Sequence, residues 1–188
     1  MKSGRRVAYL LALLLALALL SLSLAQCTET RRRARSEQAY FALACTFARD
    51  FNVPPGLVLA VIRTESDFCA DAVSTAGAKG LMQLLPDTFA FVRDEKLHEA
   101  LEDNAIFDPA VNIRYGTYYL SYLFARFESW PTVLAAYNAG ESRVAEWLDS
   151  SAYSKDGKTL FAIPFPETER YVERAMEHYR DYNEKYRF

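Results

Sequence analysis

Beyond residue 36 the apolar positions recur mostly at helical spacing, with short polar or proline-rich breaks between the runs. Ser36 to Phe51 reads as a helix, with Phe41, Ala44, Cys45 and Ala48 on one side. Asn52-Val53-Pro54-Pro55-Gly56 breaks it, and a second helix follows. Residues 70–85 lose the helical period and gain Ser74, Gly77 and Gly80, which predicts a loop or a short irregular hairpin. Pro86-Asp87-Thr88 reads as a helix start. Asp108-Pro109 opens a long helix with Ile113, Tyr115, Tyr119, Leu120, Leu123 and Phe127 as its apolar side. Another helix is predicted from about Pro131 to Asn138, and one more after Gly140. Residues 150–167 are irregular and rich in Ser, Lys and Pro. Thr168 is the expected cap of the last helix, whose tyrosines at 171, 179, 182 and 186 fall near one face. Strands and helices do not alternate, so the predicted class is mostly α.

The first 36 residues follow a different pattern. Lys2, Arg5 and Arg6 precede an uncharged Leu/Ala-rich run, Val7–Ala25, and Ser23-Leu24-Ala25 has the small-x-small form of a cleavage site. This is an export leader over residues 1–25, either a cleaved signal peptide or an anchor, since the run is also long enough to span a bilayer. Leu24-Ala25-Gln26-Cys27 is similar to a lipoprotein cleavage box, but Gln26 stands where a small residue belongs. Residues 26–36 form a basic linker with Arg31, Arg32, Arg33 and Arg35, an awkward neighbour for an outward-facing anchor.

Composition narrows the picture further. The chain has 188 residues, 51% apolar and 14% aromatic, enough for one domain with a substantial core. Without residues 1–25 the chain holds 19 basic against 24 acidic side chains, which argues against a nucleic-acid partner. Three cysteines make no disulfide framework; Cys45 and Cys69 either pair across the second helix or are two separately buried thiols. His98 and His178 have no metal-ligand spacing with each other or with cysteine, and neither a metal nor an organic cofactor is implied.

One acidic residue breaks the apolar pattern. At about 100° per residue with Leu57 at 0°, Val61 falls at about 40°, Val58 at about 100° and Ile62 at about 140°. Glu65 falls at about 80°, in the middle of that stripe, whereas Arg63 and Asp67 point to the other side. A glutamate among Leu and Val is either paired or kept for chemistry. A carboxyl group in such surroundings resists ionising, so its pKa rises, as a general acid near neutral pH requires.

Four stretches, "ESDF" at 65–68, "STAGAKGLMQLLPDT" at 74–88, "AAYNAG" at 135–140 and "IPFPETERYV" at 163–172, stand in an order and spacing that resemble the soluble lytic transglycosylase catalytic domain, which has a lysozyme-like helical fold. The resemblance covers about residues 37–186 and makes 37–188 the expected catalytic domain. It implies that Glu65 is the single catalytic acid and base. It also implies that the substrate is the β-1,4 bond between N-acetylmuramic acid and N-acetylglucosamine of peptidoglycan glycan strands. The sugar's own C6 hydroxyl would attack the anomeric carbon and leave a 1,6-anhydro end. Matching the family's motifs makes Ser66 a hydrogen-bonding neighbour in the site and Gly80-Leu81-Met82-Gln83 a wall of the groove. Gly80 would let the backbone approach the sugar, and Gln83 would offer donor and acceptor to an N-acetyl amide. Tyr137 and Asn138 match the saccharide-binding pair, and Tyr171 the tyrosine that reaches toward the catalytic carboxyl.

Two rivals set the terms of the comparison. A hydrolytic lysozyme of the same fold class needs a second carboxylate, and Asp67 and Asp71, the nearest in sequence, read as surface residues. A non-catalytic glycan-binding domain in an envelope assembly is the other. The expected localisation is extracytoplasmic, with a membrane tether through residues 7–25 where the leader is retained, and the expected state is a monomer. An envelope-assembly partner is a further expectation, as is a regulator acting through residues 150–162, where Tyr153 and Lys155 precede the final motif.

Overall fold

The computed structural model describes Ser21, Thr28, Thr30 and residues 33–188. The run read as an export leader, the small-x-small triplet read as its cleavage site, and Cys27 lie outside the described residues, Ser21 excepted. By internal contacts the chain divides into Met1–Gln38 and Ala39–Phe188. The described residues of the first unit are helical. Among the described residues no helix is long and apolar enough to cross a membrane.

The second unit is mostly helical, with isolated bridges and no strand among the described residues. Residues 39–50 form α1. Helix α2, Pro55–Ser66, follows a proline pair that sets φ for its first turn. Every residue from Gly56 to Ile62 is buried, so α2 is an axial element covered on all sides. Each Leu, Val or Ile so placed contributes on the order of 1.5–3 kcal/mol. Its principal partner is α7, Pro166–Tyr186. The two approach closely at Gly56, where a Cβ would stand 2.6 Å from Asn183 Oδ1 and 3.3 Å from the Tyr179 ring. Arg63 on the outer side of α2 reaches Asp181 of α7 at 3.4 Å.

Two successive left-handed residues, Asp67 (φ 48°) and Phe68 (φ 64°), end α2 immediately after Ser66. Phe68 is buried and anchors the turn. The predicted irregular segment is a tight hairpin-like loop held by bridges between Val73 and Lys79 and between Lys79 and Leu84. Helix α3, Pro86–Ala90, runs on as a π-helix over Phe91–Leu97, and a 3₁₀ turn spans Asp103–Phe107. Helix α4, Pro109–Phe127, is capped by Asp108, whose carboxylate accepts from the Ala110 and Val111 N–H groups at 2.9 and 3.0 Å. Helices α5, Trp130–Ala139, and α6, Glu141–Leu148, follow.

The core has two parts. Most of it gathers around α2, α5 and α7. A smaller cluster of Leu84, Phe89, Val92, Ile106 and Tyr115 fills the space between α3, its π-helical extension and α4. Tyr119 and Tyr137 pack against both.

Two expectations are corrected. Thr168 does not cap α7, which starts at Pro166 without a side-chain cap; Thr168 lies in the first turn and bonds elsewhere. Cys45 and Cys69 are neither paired nor both buried, for both are free, Cys45 half-buried and Cys69 exposed. The left-handed turn at Asp67 and Phe68 buries the phenylalanine and turns Cys69 outward.

Candidate active site

Glu65 occupies the last turn of α2, and its side chain lines a cleft of about 310 Å³. Ser74, Thr75 and Gln83 of the hairpin loop, Tyr137 and Asn138 of α5, and Glu167 of α7 border the same cleft. A second cavity of about 170 Å³ continues it and shares Gln83, Leu85, Tyr137 and Asn138. It extends past Tyr119 and Thr88 toward Gly140. The combined groove is therefore longer than a single carboxyl pocket.

Burial pushes the Glu65 carboxyl up from 4.5 to about 7; Tyr171 and, more weakly, the Arg174 charge act in the opposite direction. Glu65 makes no ion pair among the described residues, so pairing does not account for a glutamate in the apolar stripe. The Tyr171 hydroxyl is buried and meets no partner at full hydrogen-bond geometry. It still lies close enough to the carboxyl for a looser interaction that favours the ionised form. Such contacts are often long in an unliganded site and tighten when substrate arrives. Burial, then the Glu65 charge, raise the phenols of both Tyr171 and Tyr137 well above their usual range.

The loop 79–84 is fastened on several sides. Ser66 Oγ donates to the Leu81 carbonyl at 2.7 Å, joining the residue after Glu65 to the loop. The Tyr137 hydroxyl donates to the Met82 carbonyl at 2.7 Å. Gln83 Nε2 donates to the Gly80 and Ala72 carbonyls at 2.8 and 3.1 Å, which leaves its Oε1 as the end open to the cleft. On α7, Thr168 Oγ1 donates to Asn138 Oδ1 at 2.8 Å.

The structure thus gathers Glu65, Gln83, Tyr137 and Asn138 around one cleft, with Tyr171 behind the carboxyl. Gly80, Leu81 and Met82 stand apart from them. Leu81 and Met82 are fully buried, and none of the three lines the cleft with its side chain. Gly80 has φ +78°, and a Cβ there would meet Asn112 Cγ at 2.7 Å and the Ile106 carbonyl at 2.9 Å. Its missing side chain makes room for Asn112, not for a ligand. Ser66 is a strut to the loop and does not border the cleft. Sequence reasoning missed Glu167, one residue before Thr168, although it lies in the stretch 163–172 already singled out. Asp71 is exposed and Asp67 serves as the left-handed end of α2; neither borders the cleft. Among the described residues no group of His, Cys, Asp and Glu is arranged to hold a metal.

The family model described as the Transglycosylase SLT domain matches residues 44–161. A soluble lytic murein transglycosylase of Salmonella typhimurium is 33% identical over 141 residues, covering 73% of this chain and 22% of the relative. An inactive variant of the lytic transglycosylase Slt of Pseudomonas aeruginosa superposes with a TM-score of 0.68 at 32% identity, over 77% of this chain and 24% of that one. The 70 kDa soluble lytic transglycosylase of Escherichia coli superposes with a TM-score of 0.67 at 30% identity, again over 77% and 24%. The chain spans about a quarter of the length of these relatives.

Proposed function

The chain belongs to the Transglycosylase SLT domain family, and from that premise we propose that residues 37–188 are a peptidoglycan lytic transglycosylase domain. The observation that carries the reading is the Glu65 carboxyl, raised to about 7 by burial and facing a groove bordered by Tyr137, Asn138 and Gln83.

At neutral pH a substantial share of Glu65 carries its proton and can deliver it to the glycosidic oxygen as the C1–O bond breaks. The N-acetylglucosamine then leaves as a neutral alcohol, not an alkoxide. The carboxylate so formed takes the proton from the C6 hydroxyl of N-acetylmuramic acid as that oxygen bonds to C1. One glycosidic bond is exchanged for another within the sugar, no water is consumed, and Glu65 ends as it began. The Tyr137 ring offers a face for a sugar, and Asn138 and Gln83 offer amide groups for the N-acetyl substituents. Tyr171 biases the carboxyl toward ionisation and helps hold it in place.

A second reading rests on Glu167, which borders the same cleft as Glu65. Two carboxylates across a glycosidic bond are the equipment of a hydrolase. Glu167 is exposed and solvated, which suits a charged rim residue and makes the transglycosylase reading the stronger one.

The exported leader and an extracytoplasmic site of action belong to the same proposal, since peptidoglycan lies outside the cytoplasm. The test is mass spectrometry of fragments released from purified peptidoglycan by the full chain, beside Glu65→Gln and Glu167→Gln. Anhydro ends from the wild type and from Glu167→Gln, absent with Glu65→Gln, are expected. Ends one water heavier, lost with either variant, would establish the hydrolase. A chain that binds glycan and releases nothing would be a binding module.

A further inference from the structure

We propose that Asn112 is the positioning residue of this active site, holding through the loop 79–83 the two groups that flank Glu65. The inference rests on the function proposed above. Asn112 lies in the first turn of α4, outside the cleft, and is fully buried. An asparagine in a helix of this kind usually faces water or bonds its own helix. Here its carboxamide leaves the helix altogether. Nδ2 donates to the Lys79 carbonyl at 3.0 Å and to the Ile106 carbonyl at 2.7 Å, and Oδ1 accepts from the Met82 N–H at 2.8 Å. Both donors and the acceptor are used: the group gives the Met82 N–H its acceptor, bonds the Ile106 carbonyl, and adds a second bond to the Lys79 carbonyl, which also accepts from the Leu84 N–H at 3.0 Å.

The opposite side of the same loop carries the bonds to the catalytic end. Leu81 accepts from Ser66, the residue after Glu65, and Met82 accepts from the Tyr137 hydroxyl. Met82 is the link in the chain: its N–H is taken by Asn112 and its carbonyl by Tyr137. Gly80, with no Cβ, lets the loop lie directly on the carboxamide. No other residue type serves at 112. Aspartate lacks the two donors and brings a charge into the core; leucine fills the space and takes away the acceptor that the Met82 N–H has here. Gln is longer by a methylene in a site without slack.

The experiment compares the full chain with Asn112→Ala, Tyr137→Phe and the double variant. Thermal unfolding, kcat and KM on peptidoglycan, and direct titration of the Glu65 carboxyl by carbon NMR are followed in each. In folded Asn112→Ala, kcat should fall on the order of 10²-fold with KM changed by less than about threefold, the signature of a misplaced reacting group. The Glu65 titration should move below about 7 as the loosened loop admits water. The double variant should lose much less than the product of the two single losses, because both act through Met82. Additive losses with an unchanged Glu65 titration would reduce Asn112 to a structural role and overturn the inference. Should Asn112→Ala not fold, Tyr137→Phe keeps the test alive, since an unmoved Glu65 titration there breaks the proposed relay at its last step. Should the wild type release no fragments, the functional reading fails by itself, and the carboxyl titration still decides the role of Asn112.

Discussion

Thr168 of α7 and Asn138 of α5 are joined at 2.8 Å, hydroxyl to amide oxygen, at the edge of the cleft that contains Glu65. The bond couples the helix bearing Tyr171 and Glu167 to the helix bearing Tyr137. Thr168→Val keeps the shape of the buried side chain and removes only the donor. Stability should fall by about 1 kcal/mol, while KM rises several-fold as Asn138 loses its fixed orientation and kcat changes little. A fall in kcat with constant KM would show that Asn138 acts in the chemical step instead.

The raised Glu65 pKa has a sign that stability measurements can read. The folded chain holds a proton at Glu65 up to about pH 7, whereas the unfolded chain releases it near 4.5. The resulting stabilisation is fully present below pH 4.5 and is lost as pH rises through about 7. Above that range Glu65 in its ionised form weakens the fold by on the order of 3 kcal/mol relative to low pH. Glu65→Gln should therefore be more stable than the wild type at pH 8 and close to it at pH 4. Thermal unfolding at the two pH values checks this, and a variant equally stable or less stable at pH 8 would contradict the buried carboxyl.

Tyr171→Phe separates two influences on the same carboxyl. Burial raises the Glu65 pKa and the phenol opposes it, so removing the hydroxyl should move the titration further up. The alkaline limb of the pH–rate profile should shift in that direction, with a lower kcat because the carboxylate is less well held. Stability should change by less than about 1 kcal/mol, since the hydroxyl has no fully formed bond to lose.

Gly80→Ala combines a left-handed backbone position with a close approach to Asn112 and the Ile106 carbonyl. The variant should lose 2 kcal/mol or more, on the order expected for strain plus overpacking. Gly77 also has positive φ, at 82°, but faces open space, so Gly77→Ala should cost only its backbone strain. Urea unfolding of the pair distinguishes the two contributions.

The place of Glu65 in the last turn of α2 was legible because a helix that begins at a proline pair keeps its phase for three turns, but the single apolar stripe was not borne out, since α2 is buried on every side from Gly56 to Ile62. Helix starts at Pro86, Asp108 and Gly140 were legible for a similar local reason. The stretch Gly80-Leu81-Met82-Gln83 read as one wall of a groove but divides in space, with Gln83 at the cleft and Leu81 and Met82 in the core. Nothing in the four letters records that the loop turns at Gln83, itself left-handed at φ 49°. Thr168 read as a cap because threonine often is one; its partner Asn138, 30 residues away, decided otherwise. Glu167 and Asn112 escaped notice because an acidic residue in a first turn and a polar residue in a helix both have ordinary surface explanations. Only long-range contacts mark them out.

The division of the core into two clusters bears on how such a chain can change over generations. Helices α2, α5 and α7, which carry Glu65, Tyr137 and Tyr171, pack in the larger cluster, whereas Phe89, Val92 and Ile106 of the segment between Pro86 and Phe107 lie in the smaller one with Leu84 and Tyr115. No residue from Pro86 to Phe107 belongs to the larger cluster. That segment therefore touches the α2–α7 pairing only indirectly, through the Ile106 carbonyl that Asn112 holds and through Tyr119 and Tyr137, which pack against both clusters. Thr88, which borders the cavity beyond the Glu65 cleft, lies in that segment, whereas Leu85 just before it borders both. The groove's reach can thus be remodelled by selection at the Thr88 end with less disturbance of the end that holds Glu65.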